Sequence, residues 1–254
     1  MHKPWNNLVI RQEAEALLAL TDDLQEPFEK AISIFNGITG RIICTGIGKS
    51  GHVGRKIAAT MTSTGSPAFF LHPTEAAHGD LGSVLVGDAI LALSRSGRAV
   101  ELNTVMEFSH KRGIPIVLVS ENDRDSLAEY ADVVLKMPTM KEAWGHAPTT
   151  STIVQMAIGD AIAVTLAQLK GFTDKHFHEV HPGGELGRLG NKKNSSHPAA
   201  VRTLTAFPRR QRKTKRRPFR SSAFNGHFTA VALDQLLAQL KAETGPRFTI
   251  GSIG

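Results

Sequence analysis

Four short stretches of the sequence contain most of the side chains that could do chemistry on a small ligand. They read GIGKSG (46–51), HPTEAAHGDLG (72–82), SRSG (94–97) and HFHEVHPGGELG (176–187). Glycine and serine in such stretches leave backbone N–H groups and hydroxyls able to hold a phosphate. Lysine, histidine and carboxylate side chains can transfer protons or bind a metal ion. The stretches therefore predict a phosphate site, a metal site or both.

The glycine-rich stretch GIGKSG resembles two nucleotide-binding motifs and satisfies neither in full. An ATP- or GTP-binding loop requires a glycine five positions before Gly48, and that position is Ile43. The dinucleotide motif G-x-G-x-x-G is matched by Gly46, Gly48 and Gly51, but it needs an acidic residue about 20 positions later, where none closes the second strand. The sequence therefore disfavours a nicotinamide cofactor. A tight turn explains the glycines but not Lys49 at the end of a strand.

The stretch SRSG follows a predicted strand and precedes a predicted helix. Ser94 and Ser96 supply two hydroxyls. The N-terminus of a helix supplies unpaired backbone N–H groups, and the combination can hold a phosphate monoester. An ordinary Ser/Gly turn has the same sequence, so this stretch alone leaves both interpretations open.

Two histidine-containing stretches are candidate metal sites. The stretch 72–82 has two histidines and two carboxylates but no helical H-x-x-x-H pair. The stretch 176–187 has three histidines, which can bind zinc and can equally be solvated polar side chains. Isolated carboxylates elsewhere in the chain are solvated charges by default.

Buried strands alternate with helices along most of the chain. The pattern predicts strands at 41–46, 67–72, 88–94, 115–120 and 132–137, and helices at 52–65, 99–112, 126–131 and 149–171. Such alternation is typical of an α/β fold, here a five-stranded parallel sheet with helices on both faces in a three-layer, flavodoxin-like arrangement. Ligands of these folds bind at the carboxyl ends of the strands, where the loops 46–51, 72–80, 94–98 and 138–148 are expected.

The composition predicts a cytoplasmic globular protein with a basic appendage. The chain has 254 residues, and Cys44 is its one cysteine. We identify no secretory leader and no apolar run of the ~18–20 residues that a membrane helix needs. Residues 190–220 hold 11 Lys/Arg and no Asp/Glu, so subtracting them from the net charge of +7 leaves −4 for the rest. The basicity belongs to that segment, and it is not an argument that the folded part binds nucleic acid.

Taken together, the stretches GIGKSGHVGRK, EAAHGDLG, LSRSG, KEAWGHAPTTST and HPGGELG resemble the sugar isomerase (SIS) domain of the D-arabinose 5-phosphate isomerases. The resemblance extends from about residue 8 to residue 188. It implies a single SIS domain at 1–188 that converts D-arabinose 5-phosphate to D-ribulose 5-phosphate through a cis-enediol, without a redox cofactor. It also implies a homotetramer with sites built from more than one subunit, acting in the synthesis of 3-deoxy-D-manno-octulosonate (Kdo) and lipopolysaccharide or of capsule.

The resemblance also implies roles for individual residues. Catalytically relevant positions of the family fall on Lys49, Glu101, Glu142 and His181, and substrate-binding positions fall on Gly65, Ser66, His78, Ser94 and Ser96. His72 matches a histidine at which some members bind an inhibitory metal, so zinc is a candidate inhibitor. In this chemistry a carboxylate such as Glu101 can carry the proton between adjacent carbons, Lys49 can stabilise the enediolate, and His181 or His78 can open the sugar ring.

Two departures from the family pattern stand out. The phosphate loop of the family carries a hydroxyl where this chain has Ala99, which removes one hydrogen bond to the phosphate, and Arg98 either compensates or disturbs the site. Long members continue into paired CBS domains, whereas residues 189–254 form a basic, irregular tail that resembles none. That tail is compatible with a solvated natural appendage, with an out-of-frame reading of a CBS region, or with an altered sequence.

Three classes of function therefore remain under comparison. The favoured class is the cofactor-free isomerase. A sugar-phosphate-sensing SIS module that binds without turnover is the alternative, motivated by Ala99 and by the tail. A nicotinamide dehydrogenase, motivated by GIGKSG, is the least favoured.

Overall fold

A computed structural model of the chain describes residues 5–20 and 24–183, and the predicted tail at 189–254 lies outside them. The predicted α/β architecture is confirmed. The strands are β1 (Ile42–Gly46), β2 (Ala68–Leu71), β3 (Ala89–Leu93), β4 (Ile116–Ser120) and β5 (Val133–Lys136). They form one five-stranded sheet in the order β2-β1-β3-β4-β5, and every neighbouring pair is parallel.

Helices cover both faces of this sheet. The α-helices are α1 (Trp5–Ala19), α2 (Gln25–Gly37), α3 (Gly48–Ser63), α4 (Pro73–Ala76), α5 (Asn103–Lys111), α6 (Thr150–Leu169) and α7 (Asp174–Glu179). Short 3-10 helices lie at Asp80–Ser83, Val100–Leu102 and Ala128–Tyr130. Side chains alternate across a strand, so Ile42 and Cys44 join a core built with α2, α3 and α6, while Ile43 joins one built with α4 and α5.

The central strands are buried on both sides, which explains their continuous apolar sequences. All five residues of β1, β3 and β4 are buried. A parallel strand covered by helices on both faces has no solvent side, so polar alternation is not expected. The order β2-β1-β3 reverses direction across β1, and the carboxyl ends of β1 and β3 therefore lie at the switch point where such folds place ligands.

Several element boundaries differ from those predicted. Helix α3 begins at Gly48 rather than at 52, so Lys49 belongs to its first turn. The helix predicted at 99–112 has a 3-10 turn first and becomes α-helical only at Asn103. The stretch from Asp174 to Glu179 is helix α7 rather than a loop, because Thr173 and His176 form a capping box at its start.

Helix α6 corrects one expectation about membranes. The sequence was expected to contain no segment apolar enough to cross a membrane. Helix α6, Thr150–Leu169, has a mean hydropathy of 1.5, so by length and composition alone it is long and apolar enough to do so. Core helices pass the same test. Val154, Ile158, Ile162 and Leu166 are buried in the core that α6 shares with α3.

Gly51 controls how closely α3 approaches β1. A Cβ atom at Gly51 would lie 2.7 Å from the carbonyl oxygen of Gly46, which is backbone and cannot move aside. We expect Gly51→Ala to lower the free energy of unfolding by about 1–3 kcal/mol, because the helix must shift away from the sheet. Gly37→Ala is the matched control, since nothing lies within 4 Å of a Cβ there. Urea unfolding of both variants checks this, and equal stability would contradict it.

Candidate functional site

A cleft of about 470 Å³ opens at the carboxyl edge of the sheet. It lies between the loops that follow β1, β3 and β4. Its lining consists of Ile47, Ser50, Leu93, Ser94, Arg95, Ser96, Arg98, Ala99, Glu121 and Asn122. Two of the predicted substrate-binding residues, Ser94 and Ser96, are therefore part of one concave surface at the expected edge of the sheet.

The loop after β3 has the features of an anion site. Ser94 is buried, and Ser96 is exposed and accepts a hydrogen bond from the backbone N–H of Arg98 at 3.3 Å. Gly97 has a φ of +70°, a conformation that glycine adopts without strain. Within the described residues, the backbone N–H groups of Arg95 and Ser96 have no hydrogen-bond acceptor. These donors and the serine hydroxyls can hold a phosphate.

The N-terminus of α3 adds positive charge to the same cleft. Ser50, in the first turn of α3, lines the cleft together with the SRSG loop. The first N–H groups of a helix are unpaired, and the helix dipole favours an anion beside them. Lys49 is exposed in the same turn and makes no ion pair within residues 5–20 and 24–183. The glycines of GIGKSG thus allow the tight turn, and Lys49 remains available for a negatively charged ligand.

Arg95 connects three loops at this edge. Its Nε donates to Glu121 Oε1 at 2.9 Å, its Nη1 to Glu142 Oε1 at 2.7 Å and its Nη2 to the carbonyl oxygen of Met140 at 2.9 Å. The three acceptors follow β4 and β5, whereas Arg95 follows β3. The guanidinium therefore holds the SRSG loop against its two neighbours.

Glu142 is buried at the N-terminus of α6. Its side chain is 2% exposed, and its Oε2 accepts hydrogen bonds from the backbone N–H of Thr149 at 2.8 Å and of Ser151 at 3.3 Å. Burial alone would raise the pKa of Glu142, but the hydrogen bonds from Ser151 and Thr149 and the charge of Arg95 lower it overall. Glu142 is therefore an ionised, fully bonded carboxylate, which suits holding a structure together better than moving a proton.

Glu101 has a different environment. It lies in the 3-10 turn just beyond Ala99, and its side chain is exposed with no ion-pair partner among the described residues. Arg98, close to it in sequence, forms an ion pair with Asp125 at 3.1 Å. Glu101 is thus near the cleft and free to contact a ligand, but it lacks the partial burial that raises the pKa of many catalytic carboxylates.

The predicted histidines do not gather at the cleft. His78 is exposed in the turn after α4, and His72 caps α4. His181 follows α7 and stacks on Phe177, with ring centroids 4.0 Å apart. Its Nδ1 is 2.8 Å from the carbonyl oxygen of Phe177, which can only accept, so in the neutral ring Nδ1 carries the proton. Nε2 then keeps its lone pair and has no hydrogen-bond partner among the described residues.

Gly65 and Ser66 lie at the opposite edge of the sheet from the cleft. They precede β2, and Ser66 is buried with its Oγ 2.9 Å from Lys170 Nζ. Burial lowers the pKa of Lys170. A Cβ at Gly65 would lie 2.4 Å from the ring of Phe172. One subunit therefore does not bring Gly65 and Ser66 to the cleft that Ser94 and Ser96 line.

The described residues of a single chain do not assemble a zinc site around His72. Its Nδ1 accepts a hydrogen bond from the N–H of Thr74 at 3.3 Å, and in the neutral ring Nε2 then carries the proton. Among the described residues, no group of three or more His, Cys, Asp or Glu side chains could hold a metal ion. Cys44 is not a candidate nucleophile, because burial raises the pKa of its thiol to about 12.

Three residues of the site were missed by the sequence analysis. Arg95, Glu121 and Asn122 line the cleft, and none was proposed as a site residue. Glu121 and Asn122 directly follow β4, so the rule that ligands bind at the carboxyl ends of strands was a signal for both. No sequence signal showed that the side chain of Arg95 reaches the loop after β5.

Comparisons with known proteins agree with the observed fold. The family model described as "SIS domain" matches residues 39–165. Arabinose 5-phosphate isomerase KdsD of Pseudomonas aeruginosa is 43% identical over 178 residues, which are 69% of this chain and 55% of that protein. KdsD of Escherichia coli K12 is 42% identical over 182 residues, which are 71% and 56% of the two chains. The chain thus spans about half the length of these curated relatives.

One solved structure matches the described fold over nearly the whole length of the solved chain. It is a protein of E. coli CFT073 in complex with arabinose 5-phosphate, 35% identical, with a TM-score of 0.67. The match covers 70% of this chain and 95% of that chain.

Proposed function

The chain belongs to the SIS domain family, and from this premise we propose that it is an isomerase that interconverts D-arabinose 5-phosphate and D-ribulose 5-phosphate. The observation that carries the proposal is the 42–43% identity to the curated isomerases across the SIS region. The cleft with its SRSG loop and the first turn of α3 supports a phosphate-containing substrate. We further propose that the product enters the synthesis of Kdo and lipopolysaccharide or of capsule, in the cytoplasm, as the resemblance to the D-arabinose 5-phosphate isomerases implies.

In this proposal the phosphate binds where unpaired donors converge. The N–H groups of Arg95 and Ser96 and the hydroxyls of Ser94, Ser96 and Ser50 surround one cleft. These neutral donors and the α3 dipole stabilise an anion in both the substrate and the transition state. The phosphate-binding donors contribute affinity and orientation. The acceleration of the isomerisation must come from groups nearer the reacting carbons.

The proton transfer is assigned to Glu101. Moving the carbonyl from C1 to C2 removes a proton from C2 and returns one to C1, so one carboxylate can serve both steps. Lys49 stabilises the negative charge that develops on the enediolate oxygen. No hydride leaves the sugar, so the reaction needs no redox cofactor. His181 Nε2 has the lone pair required to accept the ring hydroxyl proton when the sugar opens.

The proposed site is shared between subunits. His181 lies beyond α7, and Gly65 and Ser66 lie at the edge of the sheet opposite the cleft. If all three serve the substrate, a neighbouring copy must supply them, and a homotetramer meets this requirement. Analytical ultracentrifugation of the full chain should therefore find an oligomer, and a monomer with full activity would contradict shared sites.

The test is an isomerase assay of the full chain with D-arabinose 5-phosphate in deuterated water and EDTA. We expect ribulose 5-phosphate that carries deuterium at C1, because the proton on the base exchanges with solvent. Binding without turnover would instead support the sugar-phosphate-sensing module, which the loss of a hydroxyl at Ala99 favours. A chain that neither binds nor converts D-arabinose 5-phosphate would overturn both the isomerase and the sensing module.

Restoring that hydroxyl is expected to strengthen binding. Ala99 lines the cleft and is half-buried, so a serine there can reach the ligand. A hydrogen bond to a charged acceptor contributes about 1.5–3 kcal/mol, and Ala99→Ser should lower the Kd of D-arabinose 5-phosphate by on the order of tenfold. Ser96→Ala should raise it. Calorimetric titration measures both, and an unchanged Kd for the serine variant would show that position 99 does not face the phosphate.

A further inference from the structure

Arg95 connects the SRSG loop to the neighbouring loops through both its guanidinium and its backbone. Its guanidinium N–H groups donate to two carboxylates and one carbonyl on neighbouring loops, at distances of 2.7–2.9 Å. Its backbone carbonyl also accepts from the N–H of Glu121 at 3.0 Å and from the hydroxyl of Ser120 at 3.2 Å. Side chain and backbone therefore both bind the β3 loop to the β4 loop.

This arrangement holds the shape of the candidate phosphate loop. Asn122 Nδ2 donates to the carbonyl oxygen of Ser96 at 3.0 Å, and the N–H of Leu127 donates to that of Gly97 at 3.2 Å. Three carbonyl groups of the loop, those of Arg95, Ser96 and Gly97, are thus bonded to residues that follow β4. The N–H groups of Arg95 and Ser96 are left without acceptors among the described residues, as anion binding requires.

The same contacts of Arg95 also neutralise two carboxylates that would repel a phosphate. Glu121 lines the cleft beside Ser94 and Ser96, and a carboxylate there repels a phosphate dianion. Glu142 is a second carboxylate, 2% exposed, on the other side of Arg95. One guanidinium bonds to both. Without it, the charge of Glu121 at the wall of the cleft and the buried charge of Glu142 behind Arg95 would both oppose the ligand in a partly desolvated place.

We propose that Arg95 is a positioning and specificity residue for the phosphate group: it holds the SRSG loop in its anion-binding shape and screens Glu121 and Glu142 from a bound phosphate monoester. The inference rests on the proposed function, because it assumes that the ligand is a sugar phosphate. Arg95 acts through the loop and through the two carboxylates, and it does not touch the reacting carbons.

The test is calorimetric titration of the full chain with D-arabinose 5-phosphate and, as a probe of the phosphate alone, with inorganic phosphate. Arg95→Gln leaves two largely buried carboxylates without their partner, since Glu121 is 16% and Glu142 is 2% exposed. Leaving a buried charge unpaired typically weakens binding by about 30-fold or more, and we expect this with both ligands. Adding Glu121→Gln should restore about tenfold of that loss, because it removes the repelling charge. Arg112→Gln is the matched control, since Arg112 stacks on Phe108 at the end of α5 and its substitution removes the same charge.

A purely structural role would not produce this pattern. Loss of loop structure alone would leave the double variant no better than Arg95→Gln, and that result would overturn the proposal, as would unchanged binding by Arg95→Gln. If Arg95→Gln does not fold, the single variant Glu121→Gln tests the proposal. We expect this variant to bind inorganic phosphate several-fold more tightly than the wild-type chain does. Unchanged or weaker binding by Glu121→Gln would overturn the screening role.

The outcomes also separate this inference from the proposed function. If the wild-type chain binds D-arabinose 5-phosphate without converting it, the isomerase is refuted. The role of Arg95 is then still tested, because the affinities of wild type and Arg95→Gln can be compared without turnover. In an active wild-type enzyme, Arg95→Gln should raise KM far more than it lowers kcat, because the loop serves substrate and transition state alike. A wild-type chain that binds neither ligand refutes the phosphate site and the role of Arg95 together.

Discussion

Replacing Glu101 with glutamine is expected to lower kcat for D-arabinose 5-phosphate by about 10²–10⁴-fold, the usual contribution of a general base. Glutamine keeps the size of the side chain but cannot accept a proton from carbon. Glu101 is exposed and makes no ion pair among the described residues, so its loss should leave the free energy of unfolding within ~0.5 kcal/mol of wild type. The measurements are steady-state kinetics and urea unfolding of the same preparation.

The matched control for Glu101 is Glu129→Gln. Glu129 is also an exposed glutamate within a 3-10 turn, Ala128–Tyr130, but neither that turn nor the residue on either side of it lines the cleft, whereas the turn of Glu101 directly follows the cleft-lining Ala99. It should retain wild-type kcat and KM. Full activity of Glu101→Gln would exclude Glu101 as the base. Retained exchange of the C2 proton with deuterated water by that variant would exclude it as well, even if turnover were slow.

Glu142→Gln is expected to destabilise the chain by about 2–4 kcal/mol at pH 7, because it removes a buried carboxylate from a partly buried ion pair and leaves donors without a charged acceptor. The carboxylate bonds to Arg95 on one side and to the N–H groups of Thr149 and Ser151 on the other. Glutamine presents one acceptor and one donor group to this set of donors. Glu107→Gln is the control, since Glu107 pairs with Lys111 on the exposed surface of α5.

The pH dependence of this difference has a definite sign. The pKa of Glu142 is lower in the folded state than its ordinary value, so ionisation stabilises the fold above the unfolded-state pKa of about 4.3. That stability is lost as the pH falls through the folded-state pKa. The gap between wild type and Glu142→Gln in urea unfolding should therefore be largest near neutral pH and should narrow below about pH 4. A gap independent of pH would refute a charge-based role for Glu142.

The kinetic signatures of Glu101 and Glu142 should consequently differ. Loss of Glu101 should reduce kcat in a chain of normal stability. Loss of Glu142 should reduce stability, and the change in activity should accompany the loosening of Arg95 and its loop. Both residues occupy catalytically relevant positions by resemblance, but their environments assign them different tasks: proton transfer for an exposed carboxylate and support for a buried one.

Sequence periodicity alone determined the architecture of this protein. The apolar runs of β1, β3 and β4 and the helices between them predict a parallel sheet, because only a strand covered on both faces can lack polar alternation. The position of the cleft followed as well, since parallel strands place their following loops at one edge. Boundaries were less accurate where a side chain decides them, as in the capping box of Thr173 and His176.

Only the tertiary structure decided which residues share a site. Residues 65 and 66 are far closer in sequence to Lys49 than Ser94 is, yet they lie at the opposite edge of the sheet because one helix crosses its full length between them. Arg95 meets Glu142 across 47 positions of sequence, through a side chain whose direction no pattern reveals. Local patterns determine the elements, but the contacts that set the charge and shape of the cleft arise from packing between loops distant in sequence.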